Sequence, residues 1–179
     1  GIGASIADTL AAAGAYVIGT ATTHGGALAI EERITAAGHE GAGREPDVTS
    51  QDSVDAIIKA CADLKGPPTI LVNNAGIPDA ERAVKMSDEL TDAVFDTNLI
   101  GPWVLSCEVA KPLIEQGLSG RIVNIASVAA FNISGAIAST LYSTTKSAVV
   151  RMTESHAVEW ARALGPHHRK QSPAAASWV

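Results

Sequence analysis

Tyr142 and Lys146 lie four residues apart in the stretch Leu141-Tyr142-Ser143-Thr144-Thr145-Lys146, a spacing that stacks two side chains on one face of a helix. An ammonium beside a phenol favours the phenolate and draws a Tyr pKa down from about 10. In such a pair Tyr142 would give a proton to a carbonyl oxygen or take one from an alcohol. The same spacing occurs on ordinary helices as an exposed Tyr and a solvated Lys, so the surrounding elements must decide. Two further groups could do chemistry. Gly1-Ile2-Gly3 heads a helical stretch, where bare amides and the helix dipole favour an anion. Asn73-Asn74-Ala75-Gly76 closes an apolar run. His167 and His168 are adjacent, so they point apart, and no carboxylate or Cys lies near them in sequence. No metal centre is expected.

The positioning elements follow from hydrophobic period. Ile2, Ile6 and Leu10 recur at spacing four, an amphipathic helix that Gly14 ends. Residues 15–22 read as a buried strand, and residues 26–38 as a helix with Leu28, Ile30 and Ile34 on its apolar side. Residues 41–48 form a poor strand suited only to a sheet edge, because Pro46 has no N–H for a ladder. Ser50 caps a helix whose apolar residues are Val54, Ile57, Ile58 and Cys61. Gly66-Pro67-Pro68 breaks it, and Thr69-Ile70-Leu71-Val72 follows with the continuous apolar character of a central parallel strand. Helical segments over 87–95 and 101–115 come next, then a strand over 121–126 running into Ser127, then a helix over 143–162. Alternating strands and helices indicate an α/β fold with a doubly wound, Rossmann-type parallel sheet.

Composition limits the function classes. The chain has 179 residues, 46% hydrophobic and 18% charged, a balance that favours one compact core over disorder. With aromatics at 4%, that core must be aliphatic. A net charge of -6 and the lack of any basic run argue against nucleic-acid binding. No apolar run is long enough to span a membrane. Cys61 and Cys107 are far apart in helical contexts and read as reduced thiols, which suits a cytoplasmic protein; with no Met at Gly1, an organelle stays open.

Taken in order, Gly1-Ile2-Gly3, Asp47-Val48-Thr49, Asn73-Asn74-Ala75-Gly76, Asp96-Thr97-Asn98, Ser127, and Tyr142 with Lys146 resemble the short-chain dehydrogenase/reductase family. Residues 1–162 carry the likeness as a dinucleotide-binding reductase domain. Within the family the chain is most similar to 3-oxoacyl-[acyl-carrier-protein] reductases, through residues 17–22 and 77–88. The resemblance implies a catalytic set of Asn98, Ser127, Tyr142 and Lys146. It implies a cofactor site of Gly1, Ile2, Gly3, Thr22, Asp47, Val48, Asn74, Ala75 and Gly76, completed by Tyr142 and Lys146. Hydride would pass from the nicotinamide to a keto carbon while Tyr142 protonates the oxygen, Ser127 donates a hydrogen bond to it, and Asn98 holds a water near Lys146. Asp47 would receive the adenine amino group and Val48 would pack on the ring. No carboxylate occurs in residues 19–23, so a 2'-phosphate at Thr22 meets no repulsion and NADP(H) is favoured over NAD(H). The expected partners are a small-molecule or acyl-carrier-linked substrate, as in fatty acid synthesis, and further copies of the chain in a dimer or tetramer built on the helices over 101–115 and 143–162.

Three features depart from the family pattern. The chain starts inside the glycine motif, so the family's first strand and first glycine would precede residue 1. Ser127 lies fifteen residues before Tyr142, two more than the common spacing; a loop over 131–140 absorbs that cheaply. Ser134 and Ser139 are alternatives that do not follow the strand directly. After Arg162 the pattern stops, and residues 163–179 form an irregular tail, expected to come from a shifted frame, a splice difference or a gene-model error. An uninterrupted transcript match across that point would refute this origin. Two further readings stand beside the reductase of 3-oxoacyl thioesters. One is a sugar, polyol or small-alcohol enzyme, for which Trp103 and the 131–140 loop leave room; the other is a catalytically silent relative that acts through subunit association.

Overall fold

The computed structural model describes residues 1–48, 50–79, 81–132 and 139–164. Thr49, Ser134, His167 and His168 lie outside the described residues, and of the expected tail only 163 and 164 are described. Those two are helical rather than irregular, because the final helix runs on to Leu164. The chain is mixed α/β and divides into two compact units, one of Gly1–Pro68 and one that begins at Thr69.

In the first unit, α1 (Ile2–Ala12), β1 (Val17–Thr20), α2 (His24–Ala36), β2 (Gly41–Arg44) and α3 (Gln51–Lys65) follow in order. Gly14 takes φ +90° directly after α1, a conformation open to glycine without cost. Of the expected apolar stripe of α1, Ile6 and Leu10 are half-buried and Ile2 is exposed, while the fully buried residue is Ala11 beside them. Small side chains let a helix lie close, and the same logic explains β2. Its Gly-Ala-Gly-Arg sequence has low strand propensity, yet it pairs in parallel with β1 from Val17↔Gly41 to Thr20↔Arg44. A Cβ on Gly43 would lie 1.8 Å from the Ala27 carbonyl oxygen, so only glycine admits α2 at that distance. Pro46 falls beyond the strand, and β2 pairs with β1 alone among the described residues. Thr23 caps α2 by accepting the Gly26 N–H, and Ser50 caps α3 by accepting the Ser53 N–H; such caps are each worth about 1 kcal/mol.

The second unit holds β3 (Ile70–Asn73), α4 (Asp88–Phe95), α5 (Gly101–Gln116), β4 (Arg121–Asn124) and α6 (Thr140–Leu164). β3 and β4 pair in parallel from Ile70↔Arg121 to Asn73↔Asn124. They are less enclosed than their apolar sequences suggest, with Ile70 and Val123 both exposed on this two-stranded sheet. The helices expected separately over 87–95 and 101–115 are one continuous helix joined by a π-turn at Asp96–Ile100. Pro102 has no N–H for the Asn98 carbonyl four residues back, and the helix widens there, with the Gly101 N–H reaching Asp96 O. Such turns favour functional positions. The core of this unit is Val94, Val109, Leu113, Val149 and Met152.

Candidate active site

In the first unit, the expected cofactor residues sit at or just beyond the ends of a helix or strand. Gly1 is the N-cap of α1 with no side chain over the helix end, so the first-turn amides of Ile2 and Gly3 face outward. Thr22 is exposed two residues beyond β1. Asp47 and Val48 follow β2, and the parallel register places them at the same end of the sheet as Thr22. Asp47 takes the turn that feeds α3: its N–H donates to Ser53 Oγ at 2.9 Å and its carbonyl accepts the Ser50 N–H. One neighbour was not evident from the sequence. Glu45, just past β2, brings its Oε2 4.0 Å from His24 Nδ1 at the head of α2.

In the second unit, the asparagine pair at the end of β3 divides its work. Asn73 turns inward and its Nδ2 lies 2.7 Å from Asn124 Oδ1 and 3.1 Å from Ser106 Oγ. Asn124 in turn donates to Thr153 Oγ1 on α6, so a polar chain, buried at Asn73 and Ser106 and half-buried beyond them, links β3, β4, α5 and α6. Asn74, Ala75 and Gly76 are exposed. A Cβ at Gly76 would lie 3.3 Å from both Asn98 Oδ1 and Lys146 Nζ, so this backbone passes directly over two of the expected catalytic side chains.

Asn98 is fully buried in the π-turn. It accepts the Ile77 N–H at 2.8 Å and donates to the Ile77 carbonyl at 2.9 Å and to Thr145 Oγ1 at 3.3 Å. Lys146 is buried and donates to the Ile125 carbonyl at 2.9 Å. Burial pushes its ammonium below the ordinary lysine range, since desolvation disfavours the charged form. Its Nζ lies 5.7 Å from the centre of the Tyr142 ring, so the four-residue spacing does bring the two together. Tyr142 is half-buried in the first turns of α6. Ser127 follows β4, and its Oγ accepts the Ala129 N–H at 3.2 Å, which leaves its hydroxyl hydrogen available. The turn Val128–Ala130 is fixed to α6 by the Ser147 hydroxyl, which donates to the Ala130 carbonyl. Asn98, Gly76, Lys146 and Tyr142 thus form one cluster, and Ser127 stands at the end of the neighbouring strand.

Within the second unit, the exposed Asn74–Gly76 backbone over the buried Lys146 side chain presents polar groups to solvent; within the first, the open α1 N-terminus presents free amides of the kind that favour an anion. Among the described residues no group of His, Cys, Asp and Glu side chains could hold a metal, and no helix is long and apolar enough to cross a membrane.

Comparison with known proteins adds an independent line. The family model for short chain dehydrogenases matches residues 1–163. The chain is 38% identical over 159 residues to a 3-oxoacyl-[acyl-carrier-protein] reductase of Vibrio harveyi, covering 89% of this chain and 63% of that one. It is 33% identical over 162 residues to the 2-dehydro-3-deoxy-D-gluconate 5-dehydrogenase of Dickeya dadantii, covering 90% and 62%. Among solved structures, a short-chain type dehydrogenase/reductase from Mycobacterium marinum superposes with a TM-score of 0.87 at 30% identity, over 92% of this chain and 65% of that one. An actinorhodin polyketide ketoreductase solved with NADPH superposes at 0.85 with 36% identity, over 91% and 62%. The chain therefore spans less than two thirds of the length of these relatives.

Proposed function

The chain belongs to the short chain dehydrogenase family, a family of NAD(P)-dependent oxidoreductases, and we propose that it reduces a keto group to a hydroxyl with NADPH, on a 3-oxoacyl thioester. The observation that carries the reading is the cluster at Gly76. Backbone, Asn98 and Lys146 meet there within 3.3 Å of one Cβ position, and Tyr142 stands beside Lys146.

The residues divide the work as follows. Tyr142 gives its hydroxyl proton to the substrate oxygen as the carbonyl carbon is reduced. Ser127, with its oxygen already accepting a backbone N–H, donates its remaining hydrogen to that oxygen and stabilises the charge that develops there. Lys146 places a positive charge under the Asn74–Gly76 backbone and binds ribose hydroxyls. Asn98 spends its amide on Ile77 and Thr145. That fixes the segment carrying Gly76, so a water bridging near Lys146 would be held by the backbone that Asn98 orders rather than by its side chain. Gly1, Ile2 and Gly3 bind the pyrophosphate, Thr22 faces the 2'-phosphate, Asp47 and Val48 hold the adenine, and Asn74, Ala75 and Gly76 line the nicotinamide ribose. The bound cofactor supplies the hydride.

No carboxylate occurs in residues 19–23 around Thr22, which supports NADP(H); Glu45, just past β2, has its Oε2 4.0 Å from His24 Nδ1. The Vibrio relative supports the acyl substrate, and the Dickeya relative supports a second reading, a sugar-acid ketone. Association of copies through α5 and α6 is part of the same proposal: Ile100, Trp103 and Ile114 are exposed, and spacings of three and eleven residues keep them on one face of the helix. The test is titration of the purified chain with NADPH, followed by assays with an acetoacetyl thioester and with keto sugar acids. A thioester turned over faster than the sugar acids is the expected result. No NADPH binding at millimolar concentration would refute the enzyme reading and leave the associating, silent relative.

A further inference from the structure

The first turn of α6 is gripped by a residue to which the reaction above gives no part. Asp79 is 3% exposed, and its Oδ2 accepts the Leu141 N–H at 2.8 Å across 62 residues of chain. Its Oδ1 is buried without a hydrogen-bond partner among the described residues. A buried carboxylate is costly unless compensated, and here the compensation is the positive end of the α6 dipole. Asp79 therefore works as an N-terminal cap supplied from outside the helix.

A second anchor sits one turn on, where Asn98 donates to Thr145 Oγ1. The Leu141 N–H and the Thr145 hydroxyl lie on successive turns of α6, one held by Asp79 and the other by Asn98. Tyr142 and Lys146 each follow an anchor by one residue, on a stripe turned by about 100°. The backbone anchor fixes the position of the helix start and the side-chain anchor fixes which way the next turn faces, so together they set the rotation of the helix about its own axis. The anchors are themselves joined, because Asn98 holds both the N–H and the carbonyl of Ile77, two residues before Asp79. We infer that Asp79 is a positioning residue: together with Asn98 it fixes the rotation of α6 and so the direction in which Tyr142 and Lys146 point. The inference rests on the roles proposed for those two residues. Asp79 lies in the 77–88 stretch that carries the closer family resemblance, but that resemblance gives it no role, and the stretch has no period that would show its partner.

Hydrogen exchange of the full 15N-labelled chain tests the grip without needing turnover. In Asp79→Ala, protection of the Leu141 and Tyr142 amides is expected to fall about tenfold, the scale of a lost cap, while residues 153–160 of α6 keep theirs. Asp79→Asn keeps an acceptor and is expected to recover most of that protection. If Asp79→Ala fails to fold, Asp79→Glu, which displaces the oxygens by a methylene, should show the same selective loss. Unchanged protection, loss spread evenly along α6, or an Asn variant no better than Ala overturns the inference. In the ketone assay, Asp79→Ala should lower kcat with KM within about twofold, as expected for misplacement of reacting groups, and Asn should restore it. A raised KM with intact kcat also overturns it. A wild-type chain that reduces no ketone refutes the proposed function instead, while the exchange pattern still decides the grip.

Discussion

At the scale of the residue, the proposal stands on Tyr142. Replacing it with Phe removes one oxygen and leaves the ring beside Lys146, so kcat/KM should drop by about 10² to 10⁴, the worth of a positioned proton donor. NADPH affinity, read by fluorescence, should hold within a few-fold. Activity that survives Tyr142→Phe would strip the residue of its role. Gly76 makes a second test. A methyl there would sit 3.3 Å from Asn98 Oδ1 and Lys146 Nζ, so Gly76→Ala should cost about 1–3 kcal/mol in urea unfolding, as overpacking does, and should weaken cofactor binding. The depressed Lys146 pKa carries a sign. Its folded value is lowered by burial, so between that value and about 10.4 the unfolded chain binds the extra proton and stability rises with pH. Lys146→Met should flatten that alkaline rise; a rise of unchanged slope would show that another group causes it.

At the scale of the element, the helices were legible because their apolar residues recur with helical period and because Ser50 and Gly14 mark ends by simple chemistry. What stayed hidden depended on tertiary neighbours. The joining of α4 to α5 through a π-turn is set by Pro102 and by the two bonds of Asn98 to Ile77, and neither shows in a periodic pattern. The sequence Asn73-Asn74 does not say which amide turns inward; the partners Ser106 and Asn124 decide it. Residues 41–48 looked like a poor strand because of Pro46. The need for glycine in it shows only in the structure, from the Val17 carbonyl of β1 and Ile34 of α2 beside Gly41 and from the α2 backbone beside Gly43. The far half of α6 supplies a prediction of its own. His156 is buried, with its ring 4.0 Å from Trp160 and 5.0 Å from Trp103, and its Nδ1 has no partner among the described residues. Burial lowers its pKa, against a smaller opposing pull from Glu159. The unfolded chain therefore takes up a proton near pH 6.5 before the folded one does, and stability is lost as pH falls below about 6.5. His156→Leu should lessen the difference in urea midpoint between pH 7 and pH 5.5; an undiminished difference would assign the acid sensitivity elsewhere.

At the scale of the whole molecule, family and fold were readable because the motif order spans nearly the entire chain, and the family model matches residues 1–163. The substrate was not, since selectivity depends on side chains around the keto group and the chain spans only 63% of its Vibrio relative. Cofactor binding is the property that the described residues should carry without it. A ligand that binds only the folded chain stabilises it by about 2.7 kcal/mol at one hundred times its Kd. For a protein of this size each kcal/mol moves the Tm by about 2–4 °C, so saturating NADPH should raise it by about 5–10 °C. NADH at equal concentration should raise it less, because it lacks the phosphate assigned to Thr22. Thr22→Asp would set a carboxylate against that phosphate and should reverse the order. Equal shifts from both cofactors in the wild-type chain would remove Thr22 as the reader of the 2'-phosphate. A Tm that neither cofactor moves would show that the exposed Asn74–Gly76 backbone, though it lies over a buried lysine, does not receive a nicotinamide ribose.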